Sequence, residues 1–237
     1  MDRPRTVLVT GAAKRIGRVI AMRLYQAGYG VAIHYNGSEQ EARATAVQCG
    51  DAPLFQADLQ KVDDIKRMFQ QVDERFGGVY GLVNNAARFR RVDPWELTES
   101  DWDFIHSVNL KATFFCCQQG ALLMRKSGAG RIVNMSSLGG IRPWDMYAHY
   151  CASKAGVIML TRALAKAFAP DITVNSVAPG VILASNEDPR AQDLIAATPA
   201  GRSGTPEEVA DAVLYFINAS NFVTGQVLAV DGGLSQR

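Results

Sequence analysis

Tyr150 and Lys154 have side chains and a spacing suited to proton transfer, because they stand four positions apart in a helix-like segment. That spacing places the phenol and the ammonium on one face of a helix. A positive charge beside a phenol favours phenolate, so we expect Lys154 to lower the pKa of Tyr150 from its usual value of about 10. The phenol would then act as a general acid or base. A surface helix also gives this spacing by chance, so neighbouring residues must separate the two interpretations.

Ser137 lies 13 residues before Tyr150, at the end of an apolar run. A loop of that length can bring the Ser137 hydroxyl beside the phenol. In the alternative interpretation, Ser136 and Ser137 only end a strand and satisfy the loop backbone. Tyr147 is the competing phenol, since it lies seven residues before Lys154 on a similar helical face. The interval from Ser137 favours Tyr150.

A glycine turn follows the first apolar run, between Thr10 and Gly17. Gly11 permits a tight strand-to-helix connection, and the first backbone N–H groups of a helix can bind a pyrophosphate. The run contains no G-x-G-x-x-G motif, and glycine turns are common in α/β folds. A structural role for the turn therefore stays open beside a dinucleotide-binding role.

No carboxylate ends the second apolar run, which continues as His34-Tyr35-Asn36-Gly37-Ser38. An acidic residue there would bind the ribose 2′-hydroxyl of NAD. Its absence favours NADP, with NAD possible, and Lys14 or Arg15 could neutralise the 2′-phosphate. Ser38 also begins a capping-box pattern with Glu41, and a capped helix N-terminus attracts phosphate as well.

Polar residues also end the third and fourth apolar runs. Asp58 could accept a hydrogen bond from an adenine amino group or could cap the next helix. Asn84 and Asn85 could fix neighbouring turns through their amides, and Ala86 is small enough to let a ligand approach.

Seven β-like runs alternate with helix-like intervals along the chain. The runs cover 6–10, 31–35, 53–57, 78–83, 131–135, 172–177 and 226–230, and the helices 16–28, 39–49, 61–76, 101–126, 148–168 and 205–218. This alternation predicts an α/β fold, a single Rossmann-type doubly wound parallel sheet of about seven strands with helices on both faces. Ligands then bind beyond the carboxyl ends of the strands.

The composition fits one domain over residues 1–237, since 48% of the residues are hydrophobic. A net charge of +2 gives no broad attraction to nucleic acid or to an acidic membrane. The four cysteines form no C-x-x-C pair, so we expect neither a metal site nor disulfides. No run of 18 apolar residues and no signal-peptide pattern occur, which predicts a cytoplasmic protein.

Taken in order along the chain, these motifs resemble the short-chain dehydrogenase/reductase family. The resemblance covers nearly the whole chain and includes the glycine turn, Asp58-Leu59, Asn84-Asn85-Ala86, Val108-Asn109, Ser137, Tyr150 with Lys154, Pro179-Gly180 and 230–233. It implies that Tyr150 exchanges a proton, that Ser137 polarises a carbonyl, that Lys154 also holds the nicotinamide ribose and that Asn109 sustains a water relay.

Residues from the turns and from this resemblance make up the expected cofactor site. The set is Gly11, Lys14, Arg15, Ile16, Gly17, Tyr35, Asn36, Ser38, Asp58, Leu59, Asn85, Ala86, Tyr150, Lys154, Pro179, Gly180 and Ile182.

One departure narrows the resemblance, because Arg15 replaces the middle glycine of T-G-x-x-x-G-x-G. This looks like the pteridine and dihydromonapterin reductases, in which Arg15 would contact both cofactor and substrate and Phe89 would stack on the pterin. That subgroup generally carries Asp where this chain has Ser137. We expect Arg15, Phe89, Ser137 and Tyr147 to face the substrate, although Phe89 could simply pack a loop.

The leading hypothesis is NADP-dependent hydride transfer to a small carbonyl or imine substrate, with Tyr150 as proton donor. A pteridine or dihydropteridine reductase is the first alternative, and a non-catalytic NADP-binding regulatory protein is the second. The resemblance implies a homotetramer that uses the helices at 101–126 and 148–168. A short polar stretch within 183–203 suggests a small lid over the substrate.

Overall fold

A seven-stranded parallel sheet forms the centre of the molecule in the computed structural model, which describes residues 4–182 and 189–236. Its strands are β1 (Thr6–Val9), β2 (Gly30–Tyr35), β3 (Leu54–Gln56), β4 (Gly81–Asn84), β5 (Gly130–Met135), β6 (Ile172–Pro179) and β7 (Val227–Val230). Their order across the sheet is β3-β2-β1-β4-β5-β6-β7. The predicted α/β Rossmann-type fold is confirmed.

Eight α-helices are described around this sheet: α1 (Arg15–Gln26), α2 (Glu39–Gln48), α3 (Val62–Phe76), α4 (Glu99–His106), α5 (Thr113–Lys126), α6 (Ala148–Phe168), α7 (Pro189–Ala197) and α8 (Pro206–Asn218). Side chains alternate between the two faces of each strand. Val7 and Val9 of β1 therefore pack in the core under α1, α2 and α8, while Leu8 packs in the core under α3, α5 and α6.

The strand order reverses at β1, which has β2 on one side and β4 on the other. A crevice forms between the ends of β1 and β4. Val9 pairs with Val83 in this parallel ladder, so the segments after both strands emerge at the same edge. Chains leaving β1 and β4 turn toward opposite sides of the sheet, and ligands of such folds bind at this switch point.

The predicted helix at 101–126 is interrupted in the structure. A π-helical segment, Ser107–Ala112, separates α4 from α5 and contains Asn109. The Thr113 hydroxyl donates to the Asn109 carbonyl oxygen at 2.8 Å, beside the widened turn. The apolar pattern of 101–126 was interpreted as one continuous helix, so the interruption was not predicted. π-Helical segments are frequent at functional sites.

Part of the predicted lid folds as a helix. Residues 189–197 form α7, whereas 183–188 of the expected lid lie outside the described residues. Within the part of the chain that the structure describes, no helix is both long enough and apolar enough to cross a membrane.

Candidate active site

Tyr150 and Lys154 lie on the first two turns of α6, where the sequence placed them. Tyr150 is 9% exposed and Lys154 is 3% exposed, so this is a buried pair and not a surface helix face. The Lys154 ammonium donates to the Met135 carbonyl oxygen at 2.8 Å, which ties α6 to the end of β5. Its nitrogen lies 5.8 Å from the centre of the Tyr150 ring.

Ser137 follows β5, and its side chain lies close enough to Tyr150 to affect the pKa of the phenol. It also performs the loop role that sequence left open, since its Oγ accepts from the Gly139 backbone N–H at 3.1 Å. Ser136 is separate from this pair, because its hydroxyl donates to the Val177 carbonyl oxygen at 3.1 Å. The structure therefore brings Ser137, Tyr150 and Lys154 together at the carboxyl end of β5.

The expected lowering of the Tyr150 pKa is wrong for this structure. Burial raises the pKa of Tyr150 to about 12, and the Ser137 side chain only partly opposes this effect. Burial also lowers the pKa of Lys154 to about 8. Removing both groups from water disfavours their charged forms, and this cost exceeds the attraction between them. Tyr150 is therefore a neutral phenol that can donate a proton.

Asn109 lies behind this pair and does not line the cavity beside it. Its Oδ1 accepts from the Arg88 backbone N–H at 2.7 Å, and its Nδ2 donates to the Arg88 carbonyl oxygen at 3.0 Å and to Ser153 Oγ at 3.2 Å. The Ser153 hydroxyl in turn donates to the Tyr150 carbonyl oxygen at 2.7 Å. These contacts join the loop after β4 to the first turn of α6.

Aromatic rings surround the Tyr150 phenol. Trp144 lies parallel to Tyr150 with ring centres 6.0 Å apart, and Phe89 meets the Tyr150 ring edge-on at 4.7 Å. Phe89 also stacks on Tyr147 at 4.7 Å and remains 59% exposed. Phe89 therefore packs against a neighbouring side chain and also borders the cavity, so both roles considered for it remain open. Tyr147 supports Phe89 from outside the cavity.

Two cavities of about 560 Å³ and 380 Å³ lie along the carboxyl edge of the sheet. Both are bordered by Arg15, Ile16 and Asn85, so they form one cleft at the switch point. All residues of the expected cofactor set line one or the other. The larger cavity holds Tyr150, Lys154, Pro179, Gly180 and Ile182, and the smaller one the rest from Gly11 to Ala86.

The glycine turn lines the smaller cavity and needs glycine for its own close packing. Gly11 has φ +63°, and a Cβ there would lie 2.9 Å from the Ala86 Cα, while a Cβ on Gly17 would collide with the Gly11 carbonyl oxygen. Asn85 fixes the turn through Nδ2, which donates to the carbonyl oxygens of Thr10 and Gly11 at 2.9 and 3.0 Å. The α1 N-terminus that follows has no side-chain cap, which leaves its N–H groups for an anion.

Arg15 adopts φ +53°, the left-handed conformation that glycine tolerates best. A side chain there costs on the order of 1 kcal/mol. Arg15 nevertheless occupies the glycine position and borders both halves of the cleft. Its guanidinium provides the cation expected for a phosphate. Lys14 lines the smaller cavity as well, and its ammonium lies 3.8 Å from Glu41 in an exposed ion pair that is weak enough to exchange for a phosphate.

The end of β2 and its continuation line the smaller cavity with Tyr35, Asn36 and Ser38, and none of these is a carboxylate. The predicted capping box is wrong, because Ser38 begins α2 without accepting a side-chain cap hydrogen bond. The backbone at Ser38 has φ −94° and ψ +61°, away from the extended conformation usual for a cap. This leaves the Ser38 hydroxyl for a ligand.

Asp58 is not the cap of α3, since Lys61 holds that position. Its carboxylate accepts from the Gln60 backbone N–H at 3.2 Å and from Gln60 Nε2 at 3.1 Å, within the turn after β3. Asp58 and Leu59 still line the smaller cavity, so contact with an adenine remains a prediction.

Several residues that line the cleft were not assigned to the site from the sequence. Among them, Trp144 lines the larger cavity, and Arg88 and His34 line the smaller one. His34 is a buried residue of β2, and nothing in the local sequence separates it from an ordinary core residue. The histidine before Tyr35 was visible, but only the fold shows that its ring reaches the glycine turn.

The arrangement fits a dinucleotide on three observations: the glycine cradle, the free α1 N-terminus and the Arg15 cation between the two cavities. Residues 11–235 match a family model described as enoyl-(acyl carrier protein) reductase. The chain belongs to the short-chain dehydrogenase/reductase family.

Similar proteins of named activity extend this result. A 3-oxoacyl-[acyl-carrier-protein] reductase, FabG, of Staphylococcus aureus is 35% identical and is covered over 99% of both chains. A variant of an actinorhodin polyketide ketoreductase solved with NADPH has a TM-score of 0.91 at 34% identity, over 99% of this chain and 98% of that one. A gluconate 5-dehydrogenase of Burkholderia cenocepacia, solved with NADP and tartrate, has a TM-score of 0.92 at 31% identity, covering 100% and 97%.

These findings make this short-chain family member an oxidoreductase that uses NADP(H). None of the relatives described here is named as a pteridine reductase, so the subgroup expected from Arg15 is not confirmed.

Proposed function

We propose that this chain uses NADPH to reduce a ketone of the 3-oxoacyl kind to the corresponding alcohol. One observation carries the proposal: the buried Ser137 and Tyr150 side chains lie together at the wall of a cavity that continues into the dinucleotide cleft. The names of the ketoacyl and polyketide ketoreductase relatives suggest the class of ketone.

The residues of the cleft would hold NADPH, which when bound would be the source of the hydride for the carbonyl carbon. The protein's part is to handle the charge that develops on the carbonyl oxygen. Tyr150 donates its proton to that oxygen, and Ser137 turns its hydroxyl toward it and stabilises the developing charge. The substrate thus gains one hydride at carbon and one proton at oxygen. Lys154 holds a positive charge behind the phenol, which favours the phenolate left after the transfer.

The cavity walls indicate how a ketone is oriented. Trp144 and Phe89 form an apolar border on the side of the Tyr150 ring, and Met135 and Ile182 continue it toward the cofactor half. An apolar wall with hydroxyl donors at one point binds the hydrocarbon part of a substrate and directs its carbonyl oxygen to those donors.

The proposal is tested by following NADPH oxidation with an acetoacetyl thioester, a 2-enoyl thioester, a dihydropteridine and a quinone. We expect turnover with the 3-oxo compound and little with the others. Faster turnover of the enoyl compound would favour double-bond reduction, and faster turnover of the dihydropteridine would favour the alternative that Arg15 and Phe89 suggested.

Tyr150→Phe separates an enzyme from a regulatory NADPH-binding protein. The substitution removes only the proton donor, so we expect the affinity for NADPH to change little and kcat to fall by about 10³-fold or more. Tyr147→Phe is the matched control, because that phenol lies outside the cavity, and it should keep most of the activity. Unchanged turnover in Tyr150→Phe would remove this phenol from the mechanism.

A further inference from the structure

His34 lies at the end of β2, next to the turn that leaves β1. It is 2% exposed and borders the smaller cavity of the cleft. Its ring bridges two backbone groups, with Nδ1 3.0 Å from the Gly11 nitrogen and Nε2 3.1 Å from the Ala57 carbonyl oxygen. Its own carbonyl oxygen accepts from the Ala12 N–H at 3.0 Å. His34 thus binds two consecutive N–H groups of the glycine turn.

The two partners fix the protonation of the ring. The Gly11 N–H can only donate, so Nδ1 must be the unprotonated acceptor, and the Ala57 carbonyl oxygen can only accept, so Nε2 carries the proton. An imidazolium would present N–H groups to both and would oppose the Gly11 N–H. Burial lowers the pKa of His34 to about 4, which agrees with a neutral ring.

The turn is held from three directions. Asn85 Nδ2 donates to the Gly11 carbonyl oxygen, the Thr45 hydroxyl donates to the Ala13 carbonyl oxygen at 3.0 Å, and His34 holds the N–H side. The N–H groups at the start of α1 follow directly after this turn and have no side-chain cap. The direction in which they point therefore depends on how the turn is held.

We propose that His34 is a positioning residue for the dinucleotide, which it serves by accepting the Gly11 N–H and so aiming the first N–H groups of α1 at the pyrophosphate. The inference rests on the NADPH site of the proposed function. His34 itself need not touch the cofactor, because its effect passes through the backbone of the turn.

Three variants separate the two ends of the ring. In His34→Asn the amide oxygen can replace Nδ1 as acceptor, whereas in His34→Gln the longer side chain can reach only the position of Nε2, and His34→Leu has neither. We expect His34→Asn to keep the Kd for NADPH within about three-fold, and the Gln and Leu variants to raise it about ten-fold, the effect of one buried hydrogen bond. The KM for NADPH should rise with the Kd while kcat at saturating NADPH changes less than about two-fold.

Asn175→Leu is the matched control for lost stability. Asn175 is also buried and bridges two backbone groups, since its Nδ2 donates to the Val223 carbonyl oxygen at 2.8 Å and its Oδ1 accepts from the Gln226 N–H at 3.0 Å. It lies in β6, outside both cavities. We expect its melting temperature to fall as in His34→Gln, with an unchanged Kd for NADPH.

The outcomes separate the inference from the proposed function. Wild-type protein that binds no NADPH overturns both. Wild-type binding with the same Kd in His34→Asn and His34→Gln overturns the inference alone, and so does a loss of NADPH affinity in Asn175→Leu equal to that in His34→Gln. The comparison of Asn with Gln decides the matter even where His34→Leu does not fold.

Discussion

Burial sets the protonation states of Tyr150 and Lys154 beside Ser137. Burial keeps the Tyr150 phenol protonated and brings the pKa of Lys154 near to neutrality, to about 8. A phenol with a raised pKa stays protonated at neutral pH, so it is present as a proton donor and not as a base, which suits the direction of reduction. The nearby ammonium matters after the proton has left, because it stabilises phenolate.

We expect the kcat/KM for reduction to be level below pH 8 and to fall as the pH rises through about 8. The reason is that Lys154, whose pKa burial lowers to about 8, loses its positive charge over that range. The measurement is the initial rate of NADPH oxidation between pH 6 and 10, at saturating NADPH.

Lys154→Arg tests whether the lysine causes the fall in kcat/KM near pH 8. An arginine keeps its charge throughout this pH range, so any activity that this variant retains should show no fall near pH 8. The stability of the fold depends on pH in the opposite direction from the rate. Because burial lowers the pKa of Lys154 in the folded protein, the free energy of unfolding falls as the pH falls toward about 8, where the buried lysine takes up its proton. A fall in rate that persists unchanged in Lys154→Arg would assign it to another group.

The N-termini of α8 and α2 differ in how they are capped. Thr205 caps α8 in a reciprocal capping box with Glu208, whereas Ser38 begins α2 with no such bond. The two positions look alike in sequence, since each has a hydroxyl residue followed three positions later by glutamate. Only the backbone angles separate them, and they leave Ser38 facing the cleft.

Thr205→Ala should therefore destabilise the protein, and Ser38→Ala should not. We expect the free energy of unfolding in urea to fall by about 1 kcal/mol for Thr205→Ala and by less than about 0.5 kcal/mol for Ser38→Ala. Ser38→Ala should instead weaken NADPH about five-fold and leave NADH unchanged, because only NADPH carries the 2′-phosphate. Equal stability losses in the two variants would contradict the assignment of the Ser38 hydroxyl to the ligand.

The end of β2 should set the preference between the two nicotinamide cofactors. Asn36→Asp places a carboxylate in the smaller cavity, where it would repel a 2′-phosphate and accept from a ribose 2′-hydroxyl. We expect the Kd for NADPH to rise by about ten-fold or more and the Kd for NADH to fall, in titrations of nicotinamide fluorescence.

Gln40→Glu makes the same change of charge on α2, outside both cavities, and controls for long-range electrostatics. We expect it to leave the ratio of the two Kd values nearly unchanged. If Asn36→Asp shifts that ratio no more than Gln40→Glu does, the 2′-phosphate is bound elsewhere.

At the scale of the whole molecule, α4, α5 and α6 expose large apolar side chains. Trp102 is 43% exposed, Phe114 37% and Met159 61%, on the helices that the family resemblance assigns to subunit contacts. Large exposed apolar side chains on these helices fit the subunit contacts that the resemblance implies.

We expect sedimentation velocity to show a species of four chains and Met159→Glu to shift it to smaller species, since a buried charge would be unpaired at the contact. Val47→Glu, on a 69% exposed residue of α2, is the control and should leave the assembly intact. A wild-type monomer at micromolar concentration would contradict the homotetramer.

The local patterns of the chain were enough to predict the fold and most of the cleft. Alternating apolar runs and helix periods gave the parallel sheet, and the residues at strand ends, from Gly11 to Ile182, proved to line the cavities. This works because the carboxyl ends of parallel strands share one edge, so strand-end residues far apart in sequence are brought together.

Contacts between distant segments were decided only by the tertiary structure. Whether Tyr150 is depressed or raised in pKa depends on its burial between Trp144 and Phe89, which no local spacing reveals. The π-turn at Asn109 and the reach of His34 to Gly11 likewise depend on packing across the sheet. The sequence by itself thus determined which chemistry is present and at which edge, through residue types and periodicity. The tertiary structure decided the protonation states and the orientation of those groups. Both depend on how far other elements exclude water from each group and on the hydrogen-bond partners that those elements supply.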